Sequence, residues 1–299
     1  MGLGLAAWVG NALYALGDPG SLLKEWSPAL VAGAMIAFLV VHGRRLHSGR
    51  QLFLFVLTVF LVGWFFETVS VMTGFPFGDY HYTGIMAPFI GHVPVFVMPA
   101  YCVMGYASWS FARLLLARTD AADDAVFRFG VPVIAAMLMV VWDLSMDPLR
   151  ATVEGRWVWL DGGPHFGVPL ANFFGWALVT WIMFQLFALV VSSSPEQPAR
   201  LVEPGGRRLY WLSVPLVWTA FAGEYLLNPV LSGRVDAVVI DGAGVPVAEI
   251  FASVALLTAT TMLPLAALGV LAAIRLGVPA SDDDEAGALV PDRAGGDRR

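Results

Sequence analysis

The sequence predicts an all-α fold, a polytopic membrane helix bundle of about seven transmembrane helices. The 299-residue chain is 58% hydrophobic and only 13% charged, and its mean hydropathy of +0.72 exceeds that of ordinary soluble domains. Seven apolar stretches are long enough, or nearly so, for a bilayer core of roughly 30 Å, which needs about 20 residues per helix. Basic residues concentrate in alternate connections between those stretches, as they do in multi-pass membrane proteins.

Each predicted span is an almost uninterrupted apolar run. The runs lie at 27–42, 51–72, 92–116, 127–146, 168–192, 209–229 and 248–274. The further apolar stretch 3–16 is short and lacks the basic residues of a secretory signal, so we interpret it as interfacial or re-entrant, with an eighth span as the alternative. Residues 1–278 are predicted to form a single integral membrane domain, and residues 279–299 a disordered acidic C-terminal tail.

The basic residues predict the orientation of the bundle in the cell membrane. Thirteen of the seventeen lie in the connections after the first, third and fifth spans or at the C-terminal end, and four lie in the alternate connections. Lysine and arginine bias short loops toward the cytoplasm. The N-terminus is therefore predicted to be external and the C-terminus cytoplasmic.

The second, fourth and sixth spans each carry an acid about one turn before their external end. These acids are Glu67, Asp143 and Glu224. Asp143 and Glu224 are followed four positions later by Asp147 and Asn228, which share a helix face with them. A proline comes next in both cases and is expected to end the helix.

Each external loop after these spans ends in Val-Pro, which predicts the start of the next helix because proline is favoured in the first helical turn. The three dipeptides are Val93-Pro94, Val168-Pro169 and Val245-Pro246. We infer three helical-hairpin repeats of common design that follow one leading helix. The alternative is that Val-Pro recurs by chance in so apolar a chain.

The polar residues of the hairpins are predicted to share one depth in the membrane, near the external helix ends. They are Glu67, Asp143, Asp147, Asn172, Glu224, Asn228 and Glu249. A charge at the middle of a membrane helix costs ~2.5–3.5 kcal/mol on insertion scales, and few external arginines are available as partners. Some of these carboxyls are therefore expected to lie protonated in a desolvated pocket. The alternative is that they lie hydrated just above the hydrocarbon.

Aromatic side chains and one polar turn are predicted at the same depth as these polar residues. The turn, GFPFGDYHYTG at 74–84, lies between apolar segments, and we interpret it as the lid of a site. The side chains predicted to line that site are Asp79, Tyr80, His81, Tyr82, Trp142, Trp159, His165, Asn172, Trp176 and Asn228. An interfacial aromatic belt is the alternative. No H-x-x-x-H spacing and no phosphate-binding glycine loop occurs, so neither a metal site nor a nucleotide cofactor is predicted.

Four motifs carry a resemblance to a known family. They are G-x-P-F-G-x-Y-x-Y-T at 74–83, W-D-x-x-x-D-P at 142–148, W-x-W at 157–159 and F-G-V-P-x-x-N-F-x-G-W at 166–176. These motifs resemble the membrane carotenoid hydratase family (CruF type), which includes the bisanhydrobacterioruberin hydratases and the gamma-carotene 1',2'-hydratases. The likeness covers roughly residues 27 to 275 and is looser in the third hairpin.

The resemblance implies a multi-pass enzyme of carotenoid biosynthesis, a hydro-lyase without a cofactor. Such an enzyme adds water to the terminal C=C bond of an acyclic carotenoid end, as in the hydration that yields bacterioruberin. Its expected partners are a lipophilic carotenoid, membrane lipid and other membrane enzymes of the pathway, with no nucleic acid.

Hydration of such an isoprenoid alkene requires an acid that protonates the less substituted carbon, after which water captures the tertiary cation. We expect Asp143 and Glu67 to handle the proton, with Glu224 and Asp147 as their partners. A second carboxylate, or one of the site histidines, would orient the water, and aromatic faces would stabilise the cation.

Two other functions fit parts of the same pattern. The segment DLSMD at 143–147 could hold magnesium and a diphosphate, as in membrane prenyltransferases, although that motif is predicted here on the external side. Repeats and intramembrane acids are also ordinary features of small-molecule transporters. A translocation path needs polar groups through both halves of the membrane, whereas the cytoplasmic halves of these helices are apolar.

Overall fold

The protein, described here as a computed structural model, is a bundle of helices. The structure describes residues 1–17, 20–119, 124–192 and 204–276, so the predicted tail 279–299 lies outside the described residues. The helices are α1 (Gly2–Leu16), α2 (Leu22–Leu46), α3 (Gly49–Thr73), α4 (Val97–Leu115), α5 (Val131–Asp147), α6 (Leu170–Ser192), α7 (Pro204–Leu231) and α8 (Val247–Arg275). The predicted all-α membrane bundle is confirmed.

Within the described residues, five helical segments are long and apolar enough to cross a membrane. They are Leu22–Leu46, Gly49–Thr73, Val126–Val153, Leu170–Ser192 and Val247–Arg275. Helix α4 is shorter and contacts α2, α3, α5, α7 and α8, so it lies at the centre of the bundle. The count of seven spans stays a prediction.

Local sequence signals explain where the helices begin and end. Ser48 and Gln51 form a capping box at the start of α3, in which each side chain pairs with the backbone of the other residue. The same helix ends at Gly74, whose left-handed conformation (φ of 77°) suits a residue without a Cβ atom. The α2–α3 connection is therefore only two residues long.

The prolines end the helices less sharply than predicted. The chain stays helical beyond Asp147, in a wider π-type turn at Pro148–Val153, and Pro229 lies inside α7. A proline near a helix end removes only one hydrogen bond, and a widened turn relieves the clash of its ring with the preceding turn.

Two of the three Val-Pro dipeptides directly precede a helix. Helices α6 and α8 begin directly after Pro169 and Pro246, and Val245-Pro246 also ends a strand. Val93-Pro94 lies in strand β3, which pairs with β2 (Phe89–Ile90), but no helix follows it directly. The helix of the predicted span 92–116 begins at Val97, five residues later than predicted.

Helix α1 packs against α2 and α7. The Trp8 indole donates to Thr219 Oγ1 at 3.1 Å, and Asn11 Nδ2 donates to the Ala220 carbonyl at 2.5 Å. These contacts with α7 argue against a helix that lies flat on the interface. The 15 residues of α1 extend about 22 Å, which is less than a bilayer core.

Two histidines at the α2–α3 connection are buried. His42 and His47 are only 5% and 3% exposed. His42 lies within α2, because that helix runs to Leu46, and its ring packs between Phe38 and Tyr210.

Short antiparallel ribbons connect the helices at one end of the bundle. Strand β1 (Tyr80–Tyr82), in the α3–α4 connection, pairs with β4 (Trp157–Trp159), in the α5–α6 connection. Strands β5 (Ala237–Ile240) and β6 (Ala243–Pro246) pair within the α7–α8 connection. The β1–β4 pairing ties the first hairpin to the second and positions the site described next.

Candidate active site

A cavity of about 820 Å³ lies among the helices beneath the β1–β4 ribbon, and its walls are mostly apolar. Ten of the fourteen side chains predicted for the site line it. They are Glu67, Tyr80, Tyr82, Trp142, Asp143, Asp147, Trp159, Asn172, Trp176 and Glu224. The cavity thus gathers residues from helices α3, α5, α6 and α7 and from the ribbon.

The β1–β4 ribbon explains which residues of the polar turn face the cavity. Tyr80 is paired with Trp159, and Tyr82 with Trp157. Because successive side chains of a strand point to opposite faces, these four rings face the cavity together, whereas His81 between the tyrosines is exposed. The turn lies over the site as predicted, but only alternate residues take part.

Glu67 accepts hydrogen bonds from three tyrosines. The Tyr82 hydroxyl lies 2.8 Å from Glu67 Oε2, the Tyr101 hydroxyl lies 2.6 Å from Oε1, and the Tyr80 hydroxyl also donates to Oε2. Burial, together with the adjacent Glu67, raises the pKa of Tyr80 and Tyr82 well above the usual range. Both phenols therefore remain protonated donors, and they hold the Glu67 carboxyl in one orientation.

Asp143 and Asp147 lie one turn apart on α5 and share one amide donor. Asn172 Nδ2 on α6 lies 2.7 Å from Asp143 Oδ2 and 2.6 Å from Asp147 Oδ2. An amide nitrogen carries two hydrogens, so it donates one to each carboxyl. Both aspartates are buried, with 0% and 1% exposure.

The remaining oxygens of the two aspartates differ. Asp147 Oδ1 accepts from the indoles of Trp157 at 3.0 Å and Trp159 at 3.3 Å. Asp143 Oδ1 is buried and has no hydrogen-bond partner in the described part of the chain. An oxygen without a partner in a dry site is costly unless it binds a proton or a ligand group. Glu224 Oε1 also lacks a partner among the described residues, but the other oxygen of Glu224 is paired with Arg150, whereas the Asp143 carboxyl has no cationic partner there.

Glu224 belongs to a separate ionic cluster on another wall of the cavity. Arg150 Nη2 lies 2.6 Å from Glu224 Oε2, and Arg150 Nη1 lies 2.5 Å from Glu154 Oε1. Glu154 also accepts from Arg156 Nε at 2.6 Å and from the Tyr14 hydroxyl at 2.7 Å. Burial alone would raise the pKa of Glu154, but the two arginines overcome it and lower that pKa to about 2.

The three hairpin acids therefore have three different environments. Glu67 is surrounded by phenols, Asp143 is coupled to a second aspartate, and Glu224 is paired with an arginine. The sequence predicted a common hairpin design, with Asp143 and Glu67 as the proton-handling pair and Glu224 as a partner. The ion pair with Arg150 holds the Glu224 carboxyl in one orientation, which suits a positioning role.

Four predicted site residues lie outside the cavity lining. Asp79 and His81 are exposed on the outer side of the turn. His165 contacts the Leu144 carbonyl through Nε2 at 2.8 Å, and Asn228 is buried at 4% exposure away from the lining. Glu249, predicted at the same depth, is exposed as well.

Several lining residues were not among those predicted. They are Asn11, Tyr14, Tyr101, Arg150, Arg156, Trp157 and Tyr225. Asn11 and Tyr14 come from α1, which the hairpin pattern did not include. The alternation in Tyr-His-Tyr and Trp-Val-Trp is the one signal that could have identified Trp157, because period-two aromatics indicate a paired strand.

Aromatic faces form the wall beside the aspartates. The rings of Tyr101 and Trp176 are stacked, with centroids 4.7 Å apart, and Trp142 meets Trp176 edge-on at 5.9 Å. Electron-rich ring faces stabilise a cation in a dry site. The cavity thus combines a partly unsatisfied carboxyl with a surface that suits positive charge.

Comparisons with known proteins relate the chain to a protein family. A family described as "Carotenoid biosynthesis protein" matches residues 26–240. The chain is also similar to the bisanhydrobacterioruberin hydratase of Haloarcula japonica, with 31% identity over 135 residues. That match covers 45% of this chain and 43% of the relative, so the chain spans less than half of the length of that protein. No solved structure matches the chain.

Proposed function

This chain belongs to the carotenoid biosynthesis protein family, and we propose that it adds water to the terminal C=C bond of an acyclic carotenoid end group. The similarity to a bisanhydrobacterioruberin hydratase supports this reaction, because a similar substrate would yield a bacterioruberin-type product. The observation that carries the proposal is the free Oδ1 of Asp143, buried in an apolar cavity beside aromatic faces.

Asp143 is the proposed proton donor. Asp143 and Asp147 share the Asn172 amide, and two negative charges so close in a dry site repel each other strongly. Because Asp147 accepts three hydrogen bonds and Asp143 only one, the charge is better stabilised on Asp147 and the proton resides on Asp143. Its Oδ1 is the oxygen free to deliver that proton.

The proposed reaction balances without a redox partner. The π electrons of the alkene take the proton from Asp143, which leaves a carboxylate and a tertiary carbocation. The oxygen of a water molecule then bonds to the cationic carbon, and that water loses one proton to a carboxylate of the site. That proton then returns to Asp143 through exchange with solvent, so the net change is the addition of one water molecule and the site is restored for the next cycle.

Glu67 is the proposed acceptor for the proton of the attacking water. A carboxylate has about four acceptor positions, and the three tyrosines fill three of them. One position remains for water, and the hydrogen bonds fix its direction. The negative charge of Glu67 and the faces of Trp142 and Trp176 would stabilise the cation before water captures it.

The proposed orientation places this site near the external side of the cell membrane. The concentration of arginines in the connections after the first, third and fifth predicted spans supports an external N-terminus and a cytoplasmic C-terminus. Under this arrangement the cavity and the β1–β4 ribbon lie at the outer leaflet. Reporter fusions at the two termini would test the orientation independently of the reaction.

Pigment analysis tests the proposed function. The chain is expressed in cells that accumulate an acyclic carotenoid with a terminal trisubstituted alkene, and cells with an empty vector serve as the control. We expect a new pigment that is heavier by one water molecule for each hydrated end. Unchanged pigments, with the protein present in the membrane fraction, would refute hydration as the function.

A further inference from the structure

The cavity continues into a gap between α2 and α4. On α2, the small residues Ala29, Ala32 and Gly33 line the cavity although their outer sides are exposed. Ala32 and Gly33 lie three and four positions after Ala29, so both are on the same side of the helix as Ala29. On α4, Pro99 and Ala100 also line the cavity and are exposed.

This gap lies at membrane depth. Gly33 is near the middle of Leu22–Leu46, a segment long and apolar enough to cross a bilayer. The exposed side chains around the gap are apolar, with Ile36 at 48% and Phe96 at 64% exposure. The opening therefore faces the region in which the bilayer places acyl chains.

The gap is open because its residues are small. A Cβ atom at Gly33 would meet no other atom within 4 Å. Elsewhere in the bundle, a Cβ atom at Gly223 would approach the Trp8 ring at 2.6 Å and one at Gly269 the Phe111 ring at 2.4 Å, so those glycines are needed for helix packing. No such packing reason exists at Gly33.

We propose that this gap, the α2–α4 portal, admits one end of the carotenoid from the bilayer into the cavity, while the rest of the polyene stays in the lipid. The inference rests on the proposed function. It adds the route by which the substrate enters and the part of the substrate that the cavity holds. The occupant is an acyclic isoprenoid arm, because the portal is apolar on both sides and leads to an apolar cavity whose wall contains the unpartnered Oδ1 of Asp143.

The size of the cavity supports admission of one end only. A volume of about 820 Å³ falls within the range of sites for drug-sized ligands, roughly 300–1,000 Å³. A full-length carotenoid is several times longer than such a ligand. The end group can thus reach Asp143 while the polyene emerges between α2 and α4. A carotenoid with two such ends would be hydrated in two separate binding events.

Phenylalanine substitutions in the portal test this inference. Ala32→Phe and Gly33→Phe place rings at exposed positions in the gap, where a Cβ atom at Gly33 meets no other atom within 4 Å. Ala267→Phe, on the exposed face of α8 and away from the cavity, is the matched control. Binding is followed in detergent by the quenching of tryptophan fluorescence by an added acyclic carotenoid. The cavity wall contains Trp142, Trp157, Trp159 and Trp176, so a polyene end bound there quenches them.

We expect both portal variants to bind the carotenoid at least tenfold more weakly than the wild type and to hydrate it correspondingly less, with Ala267→Phe unchanged. Equal binding and hydration by the portal variants and the wild type would overturn the portal. Weakened binding of a simple acyl-chain lipid to the same degree would also overturn it, because the portal would then be a lipid site. A wild type that binds the polyene through the portal without hydrating it would refute the proposed function and leave the portal standing.

Discussion

Two clusters of buried polar side chains lie about 21 Å apart along α7, if the 14 residues from Tyr210 to Glu224 rise as in a regular helix. Near Glu224, carboxyls, an amide and an arginine surround a cavity. Near Tyr210, the hydroxyl of Tyr106 lies 2.7 Å from His42 Nδ1, and the His42 and Tyr210 rings stack with centroids 3.8 Å apart. None of these three residues lines the cavity.

The comparison shows which feature distinguishes a cluster of buried polar side chains that can bind a ligand from one that only packs. The His42 cluster is packed on both faces by rings, so its hydrogen bonds fix the position of α2 against α4 and α7 and leave no space for a ligand. Each cluster has a buried polar atom without a hydrogen-bond partner among the described residues, Nε2 of His42 and Oδ1 of Asp143, but only the Asp143 cluster borders an open volume. Space beside the unsatisfied atom therefore distinguishes a site from packing.

The largest effect is expected for Asp143→Asn, which removes the proposed proton while keeping the shape of the side chain. General acid catalysis contributes roughly 10²–10⁴-fold to a rate, so hydration should fall by at least a hundredfold. Initial rates are measured on purified protein, with the exposed Asp161→Asn as the matched control. Near-normal hydration by Asp143→Asn would remove Asp143 from the mechanism.

Asn172→Leu comes next, because it deletes the donor that bridges the two aspartates. A buried acceptor that loses its partner costs about 1–3 kcal/mol, and here two carboxyls lose one. The variant should show a lower melting temperature in detergent and a hydration rate reduced by tenfold or more. If both quantities matched the wild type, the amide bridge would have no role in the site.

Glu154→Gln tests the ion pairs of Glu154 with Arg150 and Arg156 through the pH dependence of the melting temperature. The pKa of Glu154 is about 2 in the folded protein, below its ordinary value of 4.5, so its charge stabilises the fold above about pH 4.5. That stabilisation declines as the pH falls from about 4.5 to about 2. The difference in melting temperature between wild type and variant should therefore be full at neutral pH and shrink in acid. A difference that grows in acid would contradict the pairing with Arg150 and Arg156.

The smallest effect is expected for Tyr106→Phe in the packed cluster. The change removes one hydroxyl that bonds to His42, and a typical hydrogen bond contributes about 1 kcal/mol to stability. The melting temperature should fall slightly while the hydration rate stays within twofold of the wild type. A large loss of hydration without a loss of stability would mean that the two clusters are coupled.

Some of this architecture could be predicted from sequence, because a segment that crosses lipid must be an apolar helix and this requirement is visible within the segment itself. Apolar runs located each of the seven predicted segments on a helix, and the four-residue spacing placed Asp143 and Asp147 on one face. The resemblance of the motifs to a carotenoid family is confirmed by the family match over residues 26–240.

The parts that were missed depend on contacts between distant segments. The β1–β4 pairing joins residues about 80 positions apart, as in Tyr80 and Trp159, and three-residue strands give too weak a pattern to predict such a partner. The ion pair of Arg150 with Glu224 likewise requires the turn that follows α5 to lie next to α7. Charge counting along the sequence could show a shortage of arginines but not which acid would be paired.

The most direct test of Asp143-dependent hydration is the reaction of purified protein with its carotenoid in deuterium oxide, analysed by mass spectrometry. Protonation of the alkene by a solvent-exchanged carboxyl places one deuterium on the carbon next to the new alcohol, and Asp143→Asn should form almost none of this product. A product without carbon-bound deuterium, or equal labelled product from wild type and Asp143→Asn, would contradict the account.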